Sequence, residues 1–381
     1  MQNLRMYTGS NPEYKNREDK IHDWMEQDGV TLVMFENSEK RKDSTIRWLC
    51  GFAGYGLLFL SGRTSMLIPW DLAEGIGWGS TKYYVPYTDF DRDPFKALTE
   101  ASKFYIFPPG AKVEIPEDTP YPLFLKYVNQ PFSFDILCRE ESVVAKAKKL
   151  RVIKDSYEIE KIRKAADVTN IVIDLLERRV REGKLRTEAD IAMFIDSEGR
   201  KRDCEGTSFE TLVAGAKRSN TMHSFPTWTY DPFGGRGLSF IDFGLRYRGY
   251  GTDVTLTFVR EPDPKQEKLV KLVENAYKVA LSMTDNGVAT KKIAAAVDAS
   301  FGKHKRIMPH SLGHGIGLDA HEYPIIRNRK DNDWVLEPGM VFTIEPGLYD
   351  HFSIGGCRLE NDILMTETGP EVLTNARIIR L

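Results

Sequence analysis

At 381 residues the chain is long enough for two domains with sizeable cores. Lys+Arg 53 against Asp+Glu 55 leaves a net charge of −2, which argues against a general electrostatic role on nucleic acid or a membrane. No run reaches the roughly 18 apolar residues of a membrane span. Met1–Tyr7 lacks the apolar centre of a secretory signal, and Cys50, Cys138, Cys204 and Cys357 are few and widely spaced. Reduced thiols and a cytoplasmic location are the expectation.

In chain order, Asn16–Gln27 reads as a polar helix with Ile21, Trp24 and Met25 on one face, stopped by Asp28-Gly29. Val30–Phe35 reads as a buried strand and Thr45–Cys50 as a helix ending at Gly51. Leu57–Ser61 and Thr64–Pro69 read as a hairpin turning at Gly62-Arg63. Asp71–Ile76 resembles a helix start; Lys82–Tyr87, Phe104–Phe107 and Phe132–Leu137 read as strands. Strands alternating with helices predict an α/β domain over residues 1–150. Ala145–Arg151 reads as a basic, solvated helix end leading into the second domain, 151–381.

That second domain opens with a long amphipathic helix, Lys154–Arg181, for which Ile159, Ile162, Ala166, Val168, Ile171, Ile173 and Leu176 are candidates for the buried side. A helix over Ala189–Lys201 and a strand over Phe209–Ala214 follow. Residues 215–237 form a long loop holding His223, and long loops without regular structure are often functional. Leu238–Phe243 is a strand containing Asp242, Gly244–Gly251 a turn, and Asp253–Val259 a second strand. Helices are expected at Lys265–Met283 and Lys291–His304. The hairpin arrangement then recurs, with Glu345 ending the strand from Val341 and Glu360 within the strand Cys357–Met365. Ile241-Asp-Phe-Gly-Leu245 even resembles Ile344-Glu-Pro-Gly-Leu348, which suggests two duplicated halves.

Two aspartates side by side in a sheet repel, and a bound cation turns that cost into a gain. Asp242, Asp253, Glu345 and Glu360 with His314 are the wrong set for one structural zinc, which prefers Cys and His. They suit two hard or borderline divalent ions sharing carboxylates. His310, His314 and His321 fall in one window, and Gly313, Gly315 and Gly317 permit close backbone approach around His314. Arg358 lies two residues before Glu360, on the same strand face, and is expected to hydrogen-bond a ligand carboxylate; Thr255 stands likewise to Asp253.

The runs D-F-G-x-x-Y-x-G-Y-x-T-D-x-T-x-T-F, H-x-x-G-H-x-x-G-x-x-x-H-E, I-E-P-G-x-Y and R-x-E-N-D, in that order, closely resemble the pita-bread metallopeptidases: Xaa-Pro dipeptidases (prolidases), aminopeptidase P, methionine aminopeptidase and the metal-free creatinases. The resemblance covers nearly the whole chain. It implies a creatinase-type α/β N-terminal domain over 1–150 and an α+β pita-bread catalytic domain over 151–381, with pseudo-twofold halves and a curved antiparallel sheet. It implies that Asp242 binds one metal with both oxygens, Asp253 and Glu360 bridge, and His314 and Glu345 complete the second metal. Manganese is favoured, with cobalt, zinc or iron as alternatives. Glu345 would shuttle the proton of the attacking water, His321 and His223 would stabilise the oxyanion or hold substrate, and His310 and Arg358 would contact substrate. The expected reaction is hydrolysis between an N-terminal residue and proline in short peptides with a free N-terminus, by a homodimer that needs no nucleic acid or membrane. Two alternatives stay open: another peptide or C–N substrate, and an inactive binding module. Some prolidases place an Arg directly after H-E-x-P; here His321-Glu-Tyr-Pro324 is followed by Ile325 and Ile326 before Arg327, which leans toward substrates longer than a dipeptide.

Overall fold

In the computed structural model, which describes residues 3–6 and 12–381, the chain divides into two compact units, Met1–Arg151 and Val152–Leu381. Of the reading of Met1–Tyr7, residues 1, 2 and 7 lie outside the described residues. The first unit holds strands β1 (Arg5–Met6), β2 (Leu32–Asn37), β3 (Gly56–Ser61), β4 (Thr64–Pro69), β5 (Tyr83–Tyr84), β6 (Lys112–Glu114) and β7 (Asp135–Leu137), in one mixed sheet ordered β1-β5-β4-β3-β2-β6-β7. Its helices are α1 (Pro12–Asp28), α2 (Thr45–Cys50), α3 (Leu72–Trp78), α4 (Pro94–Phe104), α5 (Tyr121–Val128) and α6 (Val143–Leu150). Local chemistry sets several boundaries. Gly51 closes α2 in the left-handed region at φ 81°, and the Asp71 carboxylate caps α3 by accepting from Glu74 N.

Several expectations change here, and of Phe132–Leu137 only Asp135–Leu137 is strand. Phe104–Phe107 is not a strand, because Asp93 caps α4 by accepting from Phe95 N, Pro94 starts it, and Ala97, Leu98 and Ala101 bury its inner face. The apolar run 104–107 is therefore the helix end and the turn beyond it, where Ile106 is 84% exposed at φ 52°. Lys82–Tyr87 keeps only Tyr83–Tyr84 as strand before a 3-10 turn over Tyr87–Phe90. Helices α4 and α5 were not anticipated.

In the second unit, α7 (Ser156–Arg181) begins in a capping box of Asp155 and Glu158, and α8 (Glu188–Arg200) in one of Thr187 and Asp190. Val172, rather than Ile171, packs inward on α7; Ile171 is 46% exposed. The strands are β8 (Gly206–Thr207), β9 (Leu212–Ala214), β10 (Gly237–Phe243), β11 (Leu245–Tyr247), β12 (Tyr250–Gly251) and β13 (Val254–Arg260). After α9 (Pro264–Met283) and α10 (Thr290–Gly302) come β14 (Gly313–Gly315), β15 (Glu322–Ile326), β16 (Val341–Ile344), β17 (Gly347–Tyr349), β18 (Gly356–Arg358), β19 (Asn361–Thr366), β20 (Gly369–Val372) and β21 (Ile378–Arg380). Two sheets carry the site, ordered β21-β13-β10-β9 and β15-β14-β16-β19-β20, antiparallel throughout except for the β13/β21 pair.

The two halves meet in a single antiparallel register. Asp253 N donates to the Asp362 carboxylate, Thr255 bridges Glu360, and the Thr257 hydroxyl donates to Arg358 O. An offset of 107 residues carries Asp253 to Glu360 and Thr255 to Asp362. A twofold operation with that offset converts the first of these cross-pairs into the second. The pseudo-twofold relation thus shows in the seam itself, through one main-chain bridge and the backbone-to-side-chain bonds beside it. The core beneath is apolar, with Ile241, Phe243, Leu256, Phe342, Ile344 and Ile363 fully buried.

Candidate active site

Asp242 sits inside β10, opposite Leu212 on one side and Thr255 on the other. Asp253 immediately precedes β13, Glu345 immediately follows β16, and Glu360 immediately precedes β19. Asp253, Glu345 and Glu360 therefore stand at strand ends at the seam between the halves, while Asp242 stays in the ladder one residue before β10 ends. His314 is the middle residue of β14. A Cβ on Gly313 would lie 2.0 Å from Thr343 O, and one on Gly315 2.0 Å from Tyr323 O, so only glycine lets β14 approach both neighbours.

These side chains converge. Ligand atoms of Asp253, His314 and Glu360 all lie within 4.8 Å of one another. His314 Nε2 is 3.6 Å from Asp253 Oδ2 and 3.7 Å from Glu345 Oε1. His314 Nδ1 donates to Gly315 O at 3.0 Å, which leaves the Nε2 lone pair facing the acids. Burial, reinforced by the neighbouring His321, pulls the His314 pKa down to about 3, so the ring is neutral and ready to ligate. Burial, then the Asp242 charge, pushes Glu360 up to about 7. Burial, then Glu360, raises Asp253 and Glu345 well above the usual carboxylate range. Four acids crowded in this way favour a compensating cation. Asp242 Oδ1 is buried with no hydrogen-bond partner, an acceptor left over for such an ion.

A cavity of about 500 Å³ opens over the cluster, lined by all five of these residues together with His223, His310, His321 and Arg358. His310 Nδ1 donates to Ser311 O at 2.8 Å and stands 3.6 Å from Glu345 Oε2; burial lowers its pKa to about 4. The His321 ring centroid is 4.2 Å from that of His314. Arg358 is fully engaged. It bonds Asp242 Oδ2, the Thr255 hydroxyl (2.8 Å), the Tyr349 hydroxyl (2.6 Å) and Met222 O (3.2 Å). Thr255 in turn donates to Glu360 Oε2 at 2.7 Å. The arginine thus contacts Asp242 across the seam, while its Nε stays 4.0 Å from Glu360 on its own strand segment. Arg327 pairs with Asp331 at 3.0 Å and borders a neighbouring depression.

Sequence reasoning missed several contributors. Asp362 is fully buried behind Asp253, and burial raises its pKa. Glu210 lines the cavity and accepts from Thr227 Oγ1 at 2.8 Å. Glu322 of the H-E-Y-P run accepts from Lys154 Nζ (3.1 Å) and Asp319 N (3.0 Å), pinning the turn from which His321 projects. D362 was visible in R-x-E-N-D; the Lys154–Glu322 pair, 168 residues apart in sequence, gave no local signal.

A pita-bread fold with this donor set at its seam defines a metal-dependent peptidase. The model of metallopeptidase family M24 matches residues 160–367, and the chain belongs to that family. It is 31% identical over 370 residues to a Xaa-Pro dipeptidase of Pyrococcus horikoshii, covering 93% of this chain and 95% of that one. Among solved structures, a prolidase of Thermococcus sibiricus superposes with a TM-score of 0.81 at 27% identity, covering 98% of this chain and 100% of that one. An X-Pro aminopeptidase of Thermotoga maritima gives 0.78 at 25% identity, covering 95% and 100%. Members of the family use divalent metals, and the acids and imidazole assembled here fit that chemistry. No helix among the described residues is long and apolar enough to cross a membrane.

Proposed function

We propose that this chain hydrolyses the bond between an N-terminal residue and proline, with two divalent ions held by Asp242, Asp253, His314, Glu345 and Glu360. The observation that carries the reading is the convergence of all five donors on one cavity, with Asp242 Oδ1 buried and unpartnered. The metal pair, when bound, would supply an activated water and polarise the scissile carbonyl. Glu345, half-buried beside His310 and His314, takes the proton of the attacking water at its carboxylate and returns it to the leaving proline nitrogen. His321 and His223 reach the cavity as N–H donors for the developing oxyanion. Proline removes the amide N–H and fixes φ, so an enzyme that acts here must rely on shape and carbonyl polarisation.

The named relatives include both dipeptidases and an aminopeptidase. Among the described residues lining the cavity, Arg358 is the one guanidinium or ammonium, and its donors are committed to protein acceptors. A dipeptide's free carboxylate therefore finds no ready cation, which favours Xaa-Pro-Yaa. A panel of Xaa-Pro, Xaa-Pro-Yaa and proline-free peptides, assayed with and without chelation, decides. Turnover of the Xaa-Pro bond is expected to stop on metal removal and return with Mn or Co, with kcat/KM higher for the tripeptide. Full activity in demetallated protein would overturn the metal reading. A tenfold dipeptide preference that disappears in Arg327→Ala would show that this arginine reaches the carboxylate.

The reading extends to a homodimer in which the first unit, the creatinase-type domain over 1–150, supplies subunit contact while 151–381 carries the catalysis. Light scattering is expected to give twice the chain mass of 43.5 kDa. A monomer at working concentration would remove this part of the proposal.

A further inference from the structure

The loop 215–236, between β9 and β10, is held at its base by the ion pair of Glu188 and Arg218. Glu188, the first residue of α8, is 0% exposed and accepts four hydrogen bonds from that loop. They come from Gly215 N (2.8 Å), Arg218 Nη1 (2.6 Å), Thr229 N (2.7 Å) and the Thr229 hydroxyl (2.8 Å). The Arg218 side chain is only 16% exposed. Its other terminal nitrogen donates to Ser224 O and Pro226 O, the carbonyls one and three residues past His223. On the other flank, Met222 O accepts from Arg358. His223 is therefore bracketed by two guanidinium groups, one tied to Glu188 and one to Asp242. Its ring is exposed, lines the cavity and meets the Phe225 ring edge-on at 5.8 Å. Ser224 sits at φ 41°, a conformation that a non-glycine residue holds only when its surroundings impose it.

We infer that the Glu188–Arg218 pair is a positioning latch for His223: it fixes the histidine's loop over the cavity so that the imidazole meets the substrate. This rests on the reading of His223 as a substrate-side residue. The division of labour follows from donor geometry. Glu188 neutralises the half-buried guanidinium and gathers the loop at Gly215, its first residue, and at Thr229, beyond the histidine. The planar fork of Arg218 then spans from that carboxylate to two carbonyls beyond the histidine. A lysine offers the same charge from a single point and cannot span them.

Arg218→Lys separates the two contributions, because it leaves Glu188 paired while the fork is lost. The test is a double-mutant cycle of Arg218→Lys with His223→Ala, on metal-loaded protein, with melting temperature and bound metal measured in each variant. His223→Ala is expected to lower kcat/KM by about 10²-fold, the scale of one lost oxyanion-type donor. Arg218→Lys alone is expected to cost about tenfold with near wild-type melting temperature and metal content. In the His223→Ala background it should cost less than about twofold, since a residue acting through another adds nothing once that other is gone. Losses that multiply, wild-type kinetics in Arg218→Lys, or loss of metal in parallel with activity would each overturn the latch while leaving His223 standing. Wild-type activity in His223→Ala would overturn the reading of His223 itself.

Discussion

Asp253→Asn and Glu360→Gln are expected to lower kcat/KM by about three to four orders of magnitude, corresponding to about 4–5 kcal/mol of transition-state stabilisation. Each removes one anionic oxygen from the place where the donor atoms crowd within 4.8 Å, and in the proposed site each is shared by two ions. The same substitutions are expected to stabilise the metal-free protein. Asp253 and Glu360 are both buried and both raised in pKa, burial being the main cause and the neighbouring acids the next. An amide at either position keeps the shape and abolishes the repulsion. Activity and stability should therefore move in opposite directions. Steady-state kinetics on metal-loaded protein and thermal melts on demetallated protein check both. A variant with wild-type turnover, or one whose metal-free form melts well below the metal-free parent, would contradict the assignment.

The second large effect is the pH dependence of stability with and without metal. In the metal-free protein Glu360 binds its proton up to about pH 7, against 4.5 ordinarily, and Asp253 and Glu345 are shifted the same way. Above the ordinary carboxylate range the unfolded chain has released these protons and the folded chain still holds them. Stability from these groups is thus full at low pH and lost as pH rises through their folded values. His310 and His314 have the opposite sign, since burial lowers both, and their contribution is lost as pH falls below 6.5. Above about pH 7.5, one unit past their ordinary value of 6.5, the histidines are neutral in both states and the acids act alone. Each contributes a slope of about 1.4 kcal/mol per pH unit while it titrates. The melting temperature of metal-free protein is expected to fall between pH 6.5 and 8.5. Metal ions bind the deprotonated carboxylates and displace their protons, so occupancy strengthens over the same interval. The gap between loaded and metal-free melting temperatures should widen with pH. Parallel curves would show that these acids are not the groups that the metal compensates.

The sequence by itself determined the chemistry and most of the secondary structure around it. Asp242, Asp253 and Glu345 were legible because they stand at the ends of apolar, β-branched runs, and Glu360 because it sits in the run, Cys357–Met365, that pairs with the one ending at Glu345. The long helices were legible because capping boxes and continuous apolar stripes are local properties, as at Asp155–Glu158 and Asp263–Gln266. Short segments were not: Phe104–Phe107 has the composition of a strand, and the Asp93-Pro94 start about three turns earlier decides for helix. Nothing in the sequence placed Arg358 against Asp242, 116 residues away, or Lys154 against Glu322. Nor could it show that Glu188, one residue before the helix expected over Ala189–Lys201, holds the loop of His223 through Arg218. Those partners are chosen by the antiparallel seam between the halves and by the path of a loop without regular structure. Both are set by long-range packing, in which the desolvation of each charge makes a partner obligatory but no local pattern says which partner it will be.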